Sequence, residues 1–172
     1  MRWRPAYIGL GSNLDGPARQ IAAAVDLLGE LPDTRVVARS SLYRSSPLGG
    51  IEQPEFVNAV VAILTQHEPL ALLKLLKGIE RKRGREEGGL RWGPRIIDLD
   101  LLVYSSEIVA GPDLTVPHPG IAERNFVLLP LRELTPHLFV PGLGRVATIS
   151  VNNKEPRIER IAWGPDSCRL AH

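Results

Sequence analysis

Apolar residues in this chain come in short runs whose period alternates between two and about 3.6, with glycine, proline and serine marking each change. Ala6-Tyr-Ile-Gly-Leu10 reads as a strand stopped by Gly11-Ser-Asn13. Ile21, Ala24, Val25 and Leu28 keep helical spacing within Pro17 to Leu31, with Asp15 or Gly16 as cap, Pro17 early in the helix and Pro32 as stop. Val36 to Tyr43 reads as a second strand, followed by a loop from Ser45 to Pro54. Phe56 to Leu64 is a third, packing through Val57, Val60, Val61 and Ile63. Leu70, Leu73, Leu76, Lys77 and Glu80 mark a second helix, begun near Glu68-Pro69 and frayed at Gly84, and Ile97 to Tyr104 is the fourth strand. Strand, helix, strand, strand, helix, strand is the split βαβ order. It predicts an α+β fold with a ferredoxin-like βαββαβ core, an antiparallel sheet carrying both helices on one face. C-terminal additions follow: Leu114 to Pro117 as a short strand and Ile121 to Leu134 as helical turns broken by Pro130. The segment after Pro141 shows no readable period, and Ser167 to His172 reads as disordered.

A length of 172 residues suits one well-buried domain, spanning 1–172 with its core from about 6 to 134, and is short for two. With 44% hydrophobic and 23% charged residues the composition is that of an ordinary globular protein, and a net charge of +2 is too small to point to nucleic acid. The single cysteine, Cys168, can form no internal disulfide, which fits a reducing compartment. Met-Arg-Trp-Arg-Pro lacks an apolar signal core, and no apolar run is long enough to cross a bilayer. The expectation is a cytoplasmic monomer that binds neither nucleic acid nor membrane.

Position matters more than totals. Arg81, Arg83, Arg85, Arg91 and Arg95 crowd one segment, which leads into Ile97-Asp-Leu-Asp-Leu101. In a strand, residues two apart share a face, so Asp98 and Asp100 project side by side while Ile97, Leu99 and Leu101 face the other way. Two carboxylates so placed repel one another, and each is costly beside a core. A hard divalent cation such as Mg²⁺ removes the conflict. Pairing with Arg91 and Arg95 in a structural salt-bridge cluster is the alternative.

Three further groups converge on the aspartates if the topology holds. Gly84 to Arg91 is a glycine-rich loop whose arginines suit bidentate contacts to a polyphosphate, or else a flexible surface hairpin. Val116-Pro-His-Pro119 holds His118 between two prolines, with Arg124 six residues on. Ser45-Ser-Pro-Leu-Gly with Phe56 and Asn58 offers hydroxyls, backbone groups, an amide and an aromatic face, as a flat heterocycle requires. Gly9-Leu-Gly-Ser-Asn13 lacks the pattern of a phosphate-binding glycine loop and reads as a strand-end turn supporting the site.

Tyr7-Ile-Gly-Leu-Gly-Ser-Asn13, Gln53-Pro-Glu-Phe-Val-Asn-Ala59, Arg91-Trp-Gly-Pro-Arg-Ile-Ile-Asp-Leu-Asp100 and Val116-Pro-His-Pro119 with Glu123-Arg-Asn-Phe126 occur in the order seen in the 6-hydroxymethyl-7,8-dihydropterin pyrophosphokinase family, which the chain resembles over roughly Ala6 to Leu134. The resemblance implies a folate-pathway enzyme moving pyrophosphate from ATP to 6-hydroxymethyl-7,8-dihydropterin. It implies that Asp98 and Asp100 hold two Mg²⁺ ions and that Arg85, Arg91 and Arg95 neutralise the triphosphate, with Arg85, Arg95 and Asp98 closest to the chemistry. It implies that His118 and Arg124 contact phosphates, that Trp92 closes over the site, and that Glu80, Leu101 and Thr115 surround the nucleoside. Ser45, Ser46, Leu48 and Asn58 would match the edge of the pterin, whose ring Phe56 and Phe126 would sandwich. Where the family often has a second arginine in the loop, this chain has Glu87.

Two other readings fit the same elements less well. An RNA-binding sheet needs exposed aromatics on its central strands, and these strands are aliphatic. A Mg²⁺-dependent transferase with a different acceptor would release ADP or pyrophosphate rather than AMP.

Overall fold

A computed structural model of the chain describes residues 1–84, 88, 93–151 and 156–164. The first strand, β1 (Arg4–Ser12), alternates strictly: Ala6, Ile8, Leu10 and Ser12 are buried, and Tyr7, Gly9 and Gly11 between them are half-buried. Helix α1 (Pro17–Gly29) starts from Gly16, whose φ of 74° a glycine adopts without strain, and buries Ile21, Ala24, Val25 and Leu28. The predicted second strand divides into β2 (Thr34–Arg39) and β3 (Leu42–Ser45). At the break the Ser40 N–H donates to Val60 O at 2.9 Å and the Ser40 Oγ accepts from Val60 N–H at 3.0 Å. A side chain thus stands in for a strand carbonyl, which is why the kink carries no glycine or proline.

Strand β4 (Phe56–Thr65) runs along both pieces, pairing β2 through its C-terminal half and β3 through its N-terminal half. Helix α2 (Pro69–Lys82) follows. Its buried face is Pro69, Leu72, Leu76, Ile79 and Glu80, so the predicted face is rotated: Leu70 is 51% exposed, and the leucine-dense run admits both phases. Strand β5 (Asp98–Tyr104) completes the ferredoxin-like core, lying antiparallel beside β1. The chain continues through a small hairpin, β6 (Val109–Ala110) and β7 (Thr115–Val116), to helix α3 (Asn125–Leu134). Pro130 does not break α3 as predicted. It is buried inside a continuous helix, where its missing N–H costs only the bond to the Phe126 carbonyl. A second hairpin, β8 (Phe139–Val140) and β9 (Gly144–Arg145), precedes a 3₁₀ turn at Val146–Thr148. The region beyond Pro141 also supplies β10 (Ile158–Ile161), which joins the main sheet. That sheet has six strands in the order β10-β3-β4-β1-β5, with β2 also on β4.

The core is split by the sheet. Ile8, Leu10, Leu99 and Leu101 pack with α1 and α2 on one face, while Val60, Leu102 and Val103 pack with Ile121, Val127, Leu128 and Leu131 on the other. The sheet is therefore covered on both faces, where the sequence predicted helices on one only. A one-residue irregularity in the β1–β5 register turns both Leu102 and Val103 toward α3. Glu133 of α3 fastens β3: its carboxylate accepts from the Tyr43 hydroxyl and, at 2.9 and 2.8 Å, from the N–H and hydroxyl of Ser41. Burial raises the Glu133 pKa, but these donors and Arg160 outweigh it and hold the carboxyl below the usual range; burial and Glu133 itself drive the Tyr43 phenol upward.

Because the folded value of Glu133 lies below its unfolded one, its contribution is present above the ordinary glutamate range and is lost as pH falls through the folded value. Glu133→Ala should lower stability to urea by about 1–3 kcal/mol at neutral pH. The gap from wild type should narrow in acid; a gap independent of pH would contradict the assignment.

Candidate active site

Three strands build the floor of the site by register alone. Gly11 lies opposite Asn58 on β4 and opposite Asp98 on β5, and Gly9 lies opposite Val60 and Asp100 in the next same-face row. Asn58 and Asp98 are thus two strand spacings apart, roughly 10 Å, with only a glycine between them. A Cβ on Gly11 would come within 3.1 Å of Asn58 Oδ1. Above this floor is a cavity of about 360 Å³, in the range of small-molecule sites.

At one end Ser45, Ser46, Leu48, Phe56, Asn58 and Phe126 line the cavity. Asn58 Nδ2 donates to Ser45 Oγ at 2.9 Å, an internal bond that orients the amide. Phe56 opens β4 and Phe126 lies in the first turn of α3, so a strand and a helix each bring one ring to the cavity. At the other end are Arg95, Asp98, Asp100, His118 and Arg124. Arg95 Nη1 donates to Asp98 Oδ2 at 2.7 Å, so the Arg95 part of the alternative salt-bridge cluster is present, while Arg91 lies outside the described residues. Both aspartates are half-buried and open to the cavity.

Hard oxygen donors in this number fit Mg²⁺. The ion keeps several waters and typically takes one or two carboxylates plus phosphate oxygens, not a cage made by protein alone. Among the described residues no group of three or more His, Cys, Asp or Glu forms such a cage.

His118 is held from both sides. Its N–H donates to Leu102 O at 2.8 Å, and its Nδ1 accepts from Gly120 N–H at 2.9 Å. With Nδ1 an acceptor, the remaining proton lies on Nε2. Burial lowers the His118 pKa and Arg124 lowers it further, against a smaller upward pull from Asp98. Gly120 is wedged beside both residues: an added Cβ would stand 3.0 Å from His118 Nδ1 and 3.1 Å from Arg124 Cδ.

The other expected residues fall outside the cavity wall. Glu80 is buried, its Oε1 accepting from Leu99 N–H at 2.7 Å on the outer edge of β5 and its Oε2 paired with Lys77 Nζ at 3.1 Å. The Leu101 side chain is in the helix-side core, leaving its backbone for contact, and Thr115 is exposed on β7. Arg85, Arg91 and Trp92, the loop residue Glu87, and Ser167 to His172 lie outside the described residues. Lys77, which lines the cavity, was missed; its signal was its position one helical turn before Glu80. Gly9 and Gly11 look like part of a turn in the sequence, because their place between Asn58, Val60 and the aspartates appears only in the register.

The sequence pattern of the 7,8-dihydro-6-hydroxymethylpterin-pyrophosphokinase (HPPK) family matches residues 7–136. The chain belongs to the HPPK family. It is similar to the 2-amino-4-hydroxy-6-hydroxymethyldihydropteridine pyrophosphokinases of Pseudomonas aeruginosa, 50% identical over 135 residues covering 78% of this chain and 83% of the relative, and of Haemophilus influenzae, 46% identical over 137 residues covering 80% and 85%. The fold is also that of wild-type Plasmodium falciparum HPPK-DHPS crystallised with pteroate: TM-score 0.68 at 16% identity, over 86% of this chain and 42% of that one. The chain thus spans less than half of that larger protein.

A neutral His118 has a measurable consequence. Its imidazole should titrate below the ordinary histidine value of 6.5 when followed by NMR. Since the folded value is the lower one, the unfolded chain takes up the proton first, and the stability that neutral His118 contributes is lost as pH falls through the folded value. A midpoint at or above 6.5 would overturn the assigned environment.

Proposed function

We propose that this HPPK-family enzyme transfers the β,γ-pyrophosphoryl group of ATP, with Mg²⁺, to the hydroxymethyl oxygen of 6-hydroxymethyl-7,8-dihydropterin, releasing AMP in folate biosynthesis, and that it does so in the cavity over Gly9 and Gly11. The observation that carries this reading is the row Asn58, Gly11, Asp98, which sets an amide and a carboxylate on either side of a bare floor.

At the first end, Phe56 and Phe126 sandwich the pterin ring, while Asn58, Ser45, Ser46 and the backbone near Leu48 pair with its polar edge. The ring then points its hydroxymethyl arm along the glycine floor toward Asp98. At the second end Arg95, Arg124 and the Nε2–H of His118 hold the phosphates, with Arg85, Arg91 and Trp92 taking the parts that the family resemblance implies. The nucleoside extends past the edge of β5, where Glu80, the Leu101 backbone and Thr115 flank it, with Lys77 beside Glu80. Asp98 and Asp100 would hold two Mg²⁺ ions, which would supply Lewis acidity against the charge of the phosphates.

The hydroxymethyl oxygen forms a bond to the β-phosphorus while the bond from that phosphorus to the α-bridging oxygen breaks. AMP leaves with the electron pair, and Asp98 orients the hydroxyl, whose proton passes to solvent. Phosphoryl-type transfer leaves a protein mainly positioning and charge neutralisation, which these side chains supply. No helix among the described residues is long and apolar enough to cross a membrane.

Asp98→Asn and Asp100→Asn keep shape and remove charge, so each should cut AMP production by about 10²-fold or more. Stability should change by less than about 1 kcal/mol, because the ion pair described at Asp98 is to a partly exposed arginine. Melting temperature and AMP release on the same samples decide the matter. A destabilised variant retaining wild-type turnover would assign the aspartates to a structural cluster instead.

A further inference from the structure

Asn13 follows the end of β1, is 2% exposed, and lines no part of the cavity. It nevertheless bonds both sides of it. Its backbone N–H donates to Arg95 O at 3.0 Å and its Oδ1 accepts from Arg95 N–H at 2.8 Å, so one residue holds both backbone groups of Arg95. Its Nδ2 donates in the other direction, to Gln53 Oε1 and to Pro54 O, each at 3.0 Å. Arg95 in turn bonds Asp98 through its guanidinium. Gln53 and Pro54 end the loop that begins at Ser46 and Leu48 and runs into Phe56. A continuous chain of bonds therefore runs from the loop at the heterocycle end, through one side-chain amide, to the arginine and aspartate at the phosphate end.

An amide at this position has a division of labour that no other side chain reproduces. The carbonyl half serves Arg95 and the amino half serves the loop. Every one of these bonds is buried or part-buried, so losing any of them strands a polar group. We infer that Asn13 is a positioning residue that couples the two substrate subsites: nucleotide held by Arg95 fixes Asn13, and Asn13 in turn fixes the Gln53–Pro54 loop in the conformation that accepts the pterin. By linkage the coupling runs equally from pterin to nucleotide. The inference rests on the site assignment made above and adds to it a residue that touches neither substrate.

The two halves of the amide can be cut separately. Asn13→Asp keeps an oxygen to accept from Arg95 N–H but removes both donations to the loop. Gln53→Ala removes one loop partner from a half-buried surface position and remains informative if the buried variant folds poorly. Gln53→Glu restores an acceptor for Asn13 Nδ2. The readout is the pterin dissociation constant, by calorimetry, without and with saturating Mg²⁺ and α,β-methylene-ATP, in which the scissile bridge is inert.

In the wild type the analogue should tighten pterin binding. In Asn13→Asp and Gln53→Ala the tightening factor should fall at least fivefold, while affinity for the analogue alone changes less than threefold; Gln53→Glu should recover most of the factor. Variants that lose melting temperature yet keep the wild-type factor would reduce Asn13 to a structural role and overturn the inference, as would a wild type that binds both ligands independently. Failure of wild type to bind either ligand would instead strike at the site assignment, so the two failures are distinguishable.

Discussion

The register between β4, β1 and β5 is the constraint on which the site depends. Ile8, Leu10, Leu99 and Leu101 are buried against α1 and α2, and the pleat then forces Gly9, Gly11, Asp98 and Asp100 onto the opposite face. A slip of one residue in β5 would drive two carboxylates into the helix-side core, a desolvation penalty of several kcal/mol for each charge. The aliphatic pattern that folds the sheet is thus the same pattern that aims the aspartates. Glycine finishes the arrangement: it is the one residue that leaves Asn58 and Asp98 facing across β1 with nothing standing between them.

Charge in the cavity is balanced locally. Asp98 is paired with Arg95, and buried Glu80 is neutralised by Lys77 while it caps an N–H on the open edge of β5. His118 stays neutral because burial and Arg124 both oppose its protonation, which leaves it a donor with no added charge. Under the proposed function, the cationic side chains would meet the phosphates while the carboxylates would take divalent cations.

Much of this was legible in the sequence, and the exceptions have physical causes. Alternation in the strands gave the aspartate pair, the ferredoxin-like order and the apolar partners of α1. Ser40 hid the division between β2 and β3, because a hydroxyl that imitates a backbone carbonyl leaves no breaker residue to read. In α2 the density of leucines allowed two helical phases, and the exposed Leu70 belonged to the wrong one. Proline chemistry alone predicts a break at Pro130, but packing on the second face of the sheet outweighs one missing hydrogen bond. Strand β10 pairs with β3 across more than a hundred residues of chain, a contact that local pattern does not encode. At the site, the lining residues Ser45, Phe56, Asn58, Asp98, His118 and Phe126 came from motif and chemistry together. Asn13 and the glycine floor act through register and hydrogen bonds, so their parts emerge only in three dimensions.

Crystals grown with α,β-methylene-ATP, Mn²⁺ in place of Mg²⁺, and the hydroxymethyl pterin put the central claim to the most direct test, because manganese is located by its anomalous scattering. The account predicts manganese at Asp98 and Asp100, with the pterin between Phe56 and Phe126 and its hydroxymethyl arm lying over Gly11. Manganese away from both carboxylates, or a pterin bound anywhere other than over the glycine floor, would contradict it.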